Sequence, residues 1–411
     1  MPNPTRTPSP RGRAGAVLAP VLTLMLAVSP MAQSLRQLAE ARGIRIGAAV
    51  KSGGGGDAYN AVLAREFNAV VGENNMKWGS IQANRGNFTF GDADGMVQLA
   101  QQNNMAVRGH TFVWHQQSGF AANMPAQATV QATRDTMFKI MKSHITTVMQ
   151  RYKGKVFEWD IVNEAVARDS AGMRLGTGTS SSFWSLRTDA ANHDWDFVDS
   201  AYTYARQADS TAFLVYNDYD CEGMGRKSGL VYSLVSRLKA RKLIDGVGLQ
   251  CHFYVPGTST GSNGAFPADE MAANLRRLAD LGLRISLTEA DFRIPTPPSP
   301  ANLEAQRLAY EKLIGLCLAN PACKTIVFWG LNDGQSWIPG NYPGQGAPLL
   351  FDDGFKAKPA YDGVAAGFKE APSILRASRT RAGLRTDMIR GNRALDAMDL
   401  LGIGSDGRRF R

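Results

Sequence analysis

The chain has 411 residues, 44% of them hydrophobic and 20% charged, a balance that excludes a disordered or fibrous protein and allows a large buried core. The formal net charge of +10 sits mostly at the two ends. With three N-terminal arginines and the tail's excess of five positive charges set aside, the body carries about +2, too little for a nucleic-acid surface.

Residues 1–32 read as a signal peptide. Arg6, Arg11 and Arg13 precede a mostly apolar run at 14–28, and Ala32 would be the last residue removed, although Pro30 stands where a small residue is preferred. The apolar run is shorter than the roughly 20 residues that a membrane span needs, so a secreted or periplasmic protein is expected rather than an anchored one.

Between residues 44 and 332 the sequence holds eight short apolar runs separated by longer helix-compatible segments: IRIGAAV, NAVVGEN, AVRGHTFVW, VFEWDIVNE, AFLVYND, GVGLQCH, RISLTEA and TIVFWGLND. Strands alternating with helices indicate a parallel sheet, and eight units in this length fit a single (β/α)8 TIM barrel spanning 33–371 better than an open doubly wound sheet. The KSGGGG run after the first strand lacks the order of glycine, lysine and hydroxyl that cradles phosphate, and reads as a loop.

The helical segments carry core-facing stripes. Over 130–152, Val130, Met137, Ile140, Met141, Ile145, Val148 and Met149 recur at three- and four-residue spacing. His144 lies near that face and is expected to be packed and hydrogen-bonded. Residues 196–206 and 302–318 repeat the amphipathic character.

Nearly every apolar run ends in a side chain able to bond a sugar hydroxyl: Glu73 and Asn74, His110, Asn163 and Glu164, Asn217 and Asp218, Gln250 and His252, Glu289, then Trp329. Active sites of this fold lie at the carboxyl ends of the strands, so these groups would converge on one face. The two carboxyls Glu164 and Glu289 are what acid/base plus nucleophilic work on a glycosidic bond requires. Side-chain alternation puts Gln250 and His252 on one face and turns Cys251 away; it also joins Trp114 to His110 and turns His115 away. HTFVWH is therefore not read as a two-histidine metal motif, and with five histidines in the chain no metal is expected. Trp78, Trp114, Trp329 and Trp337 sit at or just beyond strand ends, where a flat ring can stack on a pyranose or pack in the core. Lys77 offers a cation for a hydroxyl or ring oxygen.

Four cysteines suit an exported protein with sparing disulfides. Cys317 and Cys323, in CLANPAC, bracket a turn between a helical run and the next strand and are the stronger pair; Cys221 and Cys251 could pair or stay as buried thiols. Residues 372–411 hold nine arginines against four aspartates and read as a solvated, disordered extension.

Seven segments in order, ENNMKW, RGHTFVWH, WDIVNEA, YNDY, LQCH, TEAD and WGLNDGQSW, resemble glycoside hydrolase family 10, mainly endo-1,4-beta-xylanases, and the resemblance runs from about residue 35 to 369. It implies retaining endo-hydrolysis of beta-1,4-xylosidic bonds, with Glu289 as nucleophile, Glu164 as acid/base, and no cofactor. It further implies that Asn163 bonds the 2-hydroxyl of the attacked sugar and that His252 holds the nucleophile. Glu73, Asn74, Lys77, His110, Trp114 and Gln250 would line the glycone side under a roof of Trp329 and Trp337. Xylan and xylo-oligosaccharides are the expected partners, with no nucleic acid, and the chain is expected to act as a monomer. Ala290 stands where a larger aliphatic residue is usual, and residues 167–194 show little of the family pattern. A related barrel glycosidase acting on beta-1,4-glucan or aryl cellobiosides, and a non-catalytic carbohydrate-binding barrel, are the alternative readings.

Overall fold

The computed structural model describes Met1 and residues 33–52, 55–116, 130–168, 172–174, 182–186, 195–255, 257 and 264–370. The signal-peptide reading of 1–32, the tail at 372–411, and most of the segment after Glu164 lie outside the described residues.

Each of the eight apolar runs forms a strand: β1 (Arg45–Val50), β2 (Ala69–Gly72), β3 (Ala106–Gly109), β4 (Val156–Asn163), β5 (Leu214–Asp218), β6 (Gly246–Leu249), β7 (Arg284–Pro295) and β8 (Cys323–Phe328). All neighbours pair in parallel in the order of the chain, and β8 pairs with both β7 and β1, so the sheet closes on itself. Closure leaves no edge strand. Covered by helices outside and packed with side chains inside, these strands are buried on both faces, which is why they read as continuous apolar runs.

The helices fill the intervals: α1 (Leu35–Glu40), α2 (Gly56–Glu66), α3 (Gly91–Gln102), α4 (Val130–Arg151), α5 (Asp196–Ala208), α6 (Arg226–Ala240), α7 (Ala268–Asp280), α8 (Pro300–Leu318) and α9 (Pro359–Lys369). On α4, Met137, Ile140, Met141, Ile145, Val148 and Met149 are all buried. α8 starts where Ser299 caps the Asn302 amide and Pro300 occupies the first turn, whose amide has no helical partner in any case. α9 lies close enough to α8 that a side chain on Gly363 would meet the Arg307 carbonyl oxygen at 2.1 Å. Among the described residues no helix is long and apolar enough to cross a membrane.

Cys317, in the last turn of α8, is disulfide-bonded to Cys323 at the start of β8; Cys221 and Cys251 are free buried thiols. His144 is fully buried, with Nδ1 2.8 Å from Gln82 Oε1 and its ring stacked on Trp78 at 3.7 Å. Trp78 is thus a core residue and not a cleft aromatic. Ala290 is likewise fully buried.

The barrel interior is partly ionic. The buried Arg108 guanidinium bonds Glu158 at 2.8 Å and pairs with Asp160, while Glu158 also accepts from Arg284 at 2.9 Å and Ser286 at 3.0 Å. Two carboxylates and two guanidiniums offset one another, which is what makes such burial tolerable. At the top of this stack Asp160 Oδ2 lies 2.7 Å from His110 Nδ1, so the ring's other nitrogen faces the strand ends.

Candidate active site

The carboxyl ends of the strands surround a cleft of about 570 Å³ whose walls include Glu73, Lys77, His110, Trp114, Asn163, Glu164, Gln250, His252, Glu289, Trp329 and Trp337. Asn74 is the exception among the expected residues: it is exposed and does not line the cleft, but its Oδ1 accepts from Lys77 Nζ at 3.1 Å. The Lys77 ammonium also sits 4.7 Å from the centre of the Trp114 ring, and burial lowers its pKa from the ordinary value.

Glu164 follows the last residue of β4, and Glu289 lies within β7. Both strands depart from simple alternation near these residues. Opposite β5, Asp160 pairs with Val215 and Val162 with Tyr216, leaving Ile161 as an extra residue. Opposite β8, Leu287 pairs with Ile326 and Ala290 with Phe328, which leaves an extra residue beside Glu289. Bulges of this kind re-aim the side chains that follow. As a result Thr288 and Glu289, neighbours in the chain, both reach the Asn217 amide, at 2.6 and 2.7 Å. Asn217 itself fits because Gly248 on β6 has no side chain; a Cβ there would lie 2.3 Å from Asn217 Oδ1.

Amides join the two carboxyls. Asn163 Nδ2 and Gln250 Nε2 each donate to Glu164 Oε1 at 3.0 Å, Asn217 Nδ2 donates to Asn163 Oδ1 at 2.9 Å, and the same Asn217 nitrogen meets Glu289 Oε1. The second oxygen of Glu289 lies 3.1 Å from His252 Nε2, and His252 Nδ1 lies 2.9 Å from Asp291 Oδ2, which also accepts from Trp337 Nε1 at 2.9 Å.

These contacts give the carboxyls different environments. Burial alone would raise Glu289, but hydrogen bonds from His252 and Asn217, with attraction to His110 and His252, outweigh it and bring its pKa down to about 2. Burial would likewise lower His252, yet Asp291 and Glu289 hold it well above its ordinary value of 6.5, so it is an imidazolium donating from both nitrogens. Glu164 has no such cation on its side-chain hydrogen bonds. The nearby His115 Nδ1 stands 3.6 Å from Glu164 Oε2 and is kept neutral, its pKa pushed down to about 3 by burial, Arg174 and Lys227.

The position of His115 corrects the alternation argument that turned it away from the site. β3 ends at Gly109, and pairing with β4 resumes only at Val113–Trp114, so no continuous strand carries the alternation across. Gln250 and His252 do share the cleft side, with Cys251 fully buried between them. Asn217 was expected only as one of the polar groups at the strand ends, without a role, and Thr288 and His115 were not among the expected site residues. Neither were Arg168, Tyr219 and Asp220, which line the cleft after β4 and β5.

Glu164 has φ 58°, a left-handed conformation that costs a non-glycine residue about 1–2 kcal/mol. Its amide donates to the Asn217 carbonyl at 2.9 Å and its own carbonyl accepts from Arg174 Nε at 2.7 Å.

The sequence model described as "Glycosyl hydrolase family 10" matches residues 34–367. Endo-1,4-beta-xylanase B of Thermotoga neapolitana is 36% identical over 334 residues, covering 80% of this chain and 89% of that protein. Among solved structures, native xylanase 10B from Thermotoga maritima superposes with a TM-score of 0.73 at 36% identity, covering 82% of this chain and 98% of the other. Xylanase 10B from Thermotoga petrophila, solved in complex with xylobiose, gives 0.73 at 35% identity, with 82% and 97% covered.

Proposed function

The chain belongs to glycosyl hydrolase family 10 and is a glycoside hydrolase acting on xylan, and we propose that it cleaves internal beta-1,4-xylosidic bonds with retention, using Glu289 as nucleophile and Glu164 as acid/base. The observation that carries this reading is the unequal footing of the two carboxyls. Glu289 is clamped between His252 and Asn217 and stays ionised, whereas the Glu164 side chain accepts hydrogen bonds only from the neutral amides of Asn163 and Gln250.

In the first step a Glu289 oxygen attacks the anomeric carbon while Glu164 gives its proton to the departing glycosidic oxygen, leaving a glycosyl ester on Glu289. In the second, Glu164, now a carboxylate, takes a proton from water as that water attacks the same carbon and Glu289 departs. Retaining pairs work at roughly 5 to 5.5 Å, and the amide bridge through Asn163 and Asn217 supports holding two carboxyls that close. His252 keeps its hydrogen bond to Asp291 when Glu289 is esterified, so the ring stays oriented through both steps. Asn163, at the centre of the bridge, is suited to bond the 2-hydroxyl of the attacked sugar.

Glu73, Lys77, His110, Trp114 and Gln250 are assigned to the glycone side, with Asn74 acting through Lys77. Trp329 and Trp337 form the roof, edge-on to His110 and His252, at 5.5 Å for Trp329–His110 and 4.9 Å for Trp337–His252. The discrimination against the C5 hydroxymethyl of glucose is assigned to this roof. Arg168, Tyr219 and Asp220 line a further part of the wall, assigned to the leaving group. The xylobiose complex of the Thermotoga petrophila relative supports xylo-oligosaccharides as ligands.

Reducing-sugar release from xylan by Glu289→Ala and Glu164→Ala variants tests the assignment. The first is expected to lose activity. The second should be slowed most on poor leaving groups and recover in part with an added anion such as azide. Near-normal xylan hydrolysis by Glu289→Ala would sink the proposal.

A further inference from the structure

Arg174 belongs to the segment after β4 that carries little sequence pattern, yet its side chain is buried and its guanidinium edge bridges two features of the cleft. Nε donates to the Glu164 carbonyl oxygen at 2.7 Å, and Nη2 donates to the Tyr219 hydroxyl at 2.8 Å. The arginine's own backbone is fixed: its amide donates to the Ala165 carbonyl at 2.8 Å, its carbonyl accepts from Ser185 Oγ, and Val166 bridges Met173 beside it.

A second set of contacts closes the circuit. The Tyr216 hydroxyl accepts from the amides of Ala165 and Val166 at 3.1 and 3.3 Å and donates to Asp218 Oδ2 at 2.6 Å. Asp218 Oδ1 pairs with Lys227 at 2.8 Å, and the Lys227 ammonium lies 3.5 Å from the centre of the Tyr219 ring. Tyr219 is therefore held by a cation against its ring and by an arginine at its hydroxyl. The same assembly fixes the chain on the carbonyl side of Glu164, the left-handed residue, whose amide is held by the Asn217 carbonyl.

We infer that Arg174 is a positioning residue that ties the acid/base Glu164 to the leaving-group wall at Tyr219, so that one side chain sets the proton donor relative to the sugar that must receive the proton. This rests on the acid/base role proposed for Glu164. A planar fork is needed because the two acceptors lie along one guanidinium edge; an ammonium on a flexible stem cannot hold both in fixed register.

The test uses the full chain and aryl beta-xylobiosides of graded leaving-group acidity, with kcat/KM measured for wild type, Arg174→Met, Arg174→Lys, Tyr219→Phe and Glu164→Ala. Misplacing a general acid costs most where the leaving group needs its proton, so Arg174→Met should lose roughly 10–100-fold on the poorest leaving group and less than about threefold on the most activated. Arg174→Lys should behave like Arg174→Met, because it keeps the charge near His115 but not the fork. Tyr219→Phe, which cuts only the far end, should steepen the same dependence by less and guards against a poorly folded arginine variant. Equal losses on all leaving groups, no loss, or full rescue by lysine would each overturn the inference. If Glu164→Ala itself shows no leaving-group dependence, the acid/base reading fails; if it does and both Arg174→Met and Tyr219→Phe do not, only the positioning role falls.

Discussion

His252 Nε2 lies 3.1 Å from Glu289 Oε2, with the imidazole's other nitrogen anchored on Asp291. A cation is thereby fixed against the carboxyl proposed as nucleophile, and the anion that sustains the cation lies two residues further along the same strand.

Replacing His252 by Asn keeps a donor near Glu289 but removes the charge. Glu289 is then expected to titrate upward from about 2 toward its ordinary 4.5. Since attack requires the ionised form, the acid limb of kcat/KM should move to higher pH, by about one unit or more. A pH–rate profile on an activated aryl xylobioside reads this directly, and an unmoved acid limb would show that His252 does not set the nucleophile's charge.

Trp337 closes over His252 and donates to Asp291. Trp337→Ala should open space above the attacked sugar and narrow the preference for aryl xylobioside over aryl cellobioside by roughly tenfold, about what a misfitting small group is worth. The ratio of the two kcat/KM values is the measurement. A ratio that stays constant while both rates fall would assign discrimination elsewhere.

Glu222 is buried with one oxygen accepting from the Cys251 amide at 2.8 Å, and burial together with Asp220 raises its pKa to about 7. The unfolded chain ionises this group near 4.5, so its contribution to stability is complete below that pH and is lost as pH rises to about 7. Glu222→Gln keeps the acceptor and removes the titration. Its unfolding free energy relative to wild type, read from denaturant titrations, should climb between pH 4.5 and 7 and level off above, reaching an advantage of roughly 3 kcal/mol. A difference that does not vary with pH would contradict this.

The Cys317–Cys323 disulfide closes a short loop at the start of β8, the end of the barrel away from the cleft. A loop of this size stabilises by about 2 kcal/mol. A Cys317→Ser/Cys323→Ser variant should lose about that much unfolding free energy in a denaturant titration while retaining wild-type kcat/KM on xylan. Loss of activity in the folded variant would mean that the far end of β8 is coupled to the Trp329 roof.

Eight apolar runs marked the strands correctly because a closed parallel sheet buries both faces of every strand, so no subtler pattern was needed. Glu164, Glu289, His252 and Gln250 were visible as polar residues where those runs end. Alternation failed at His115 because β3 stops before it, and it could not anticipate that Thr288 and Glu289 would turn to the same amide, since a bulge has no compositional mark. Trp78 stands only six residues after the end of β2, like a cleft aromatic, but is fully buried and stacks on His144. Arg174 was hidden for a different reason: its role depends on the backbone angle of Glu164, which residue order does not display.

The ionic packing around Arg108, Glu158, Asp160 and Arg284 constrains how this protein can change over generations. Loss of Arg108 alone would leave the fully buried Asp160 without its guanidinium partner, at about 3–5 kcal/mol. A library of single substitutions would find these positions frozen, while the loops above drift freely. New variants of the lower interior are reachable only through paired exchanges, so innovation in this lineage is channelled to the rim.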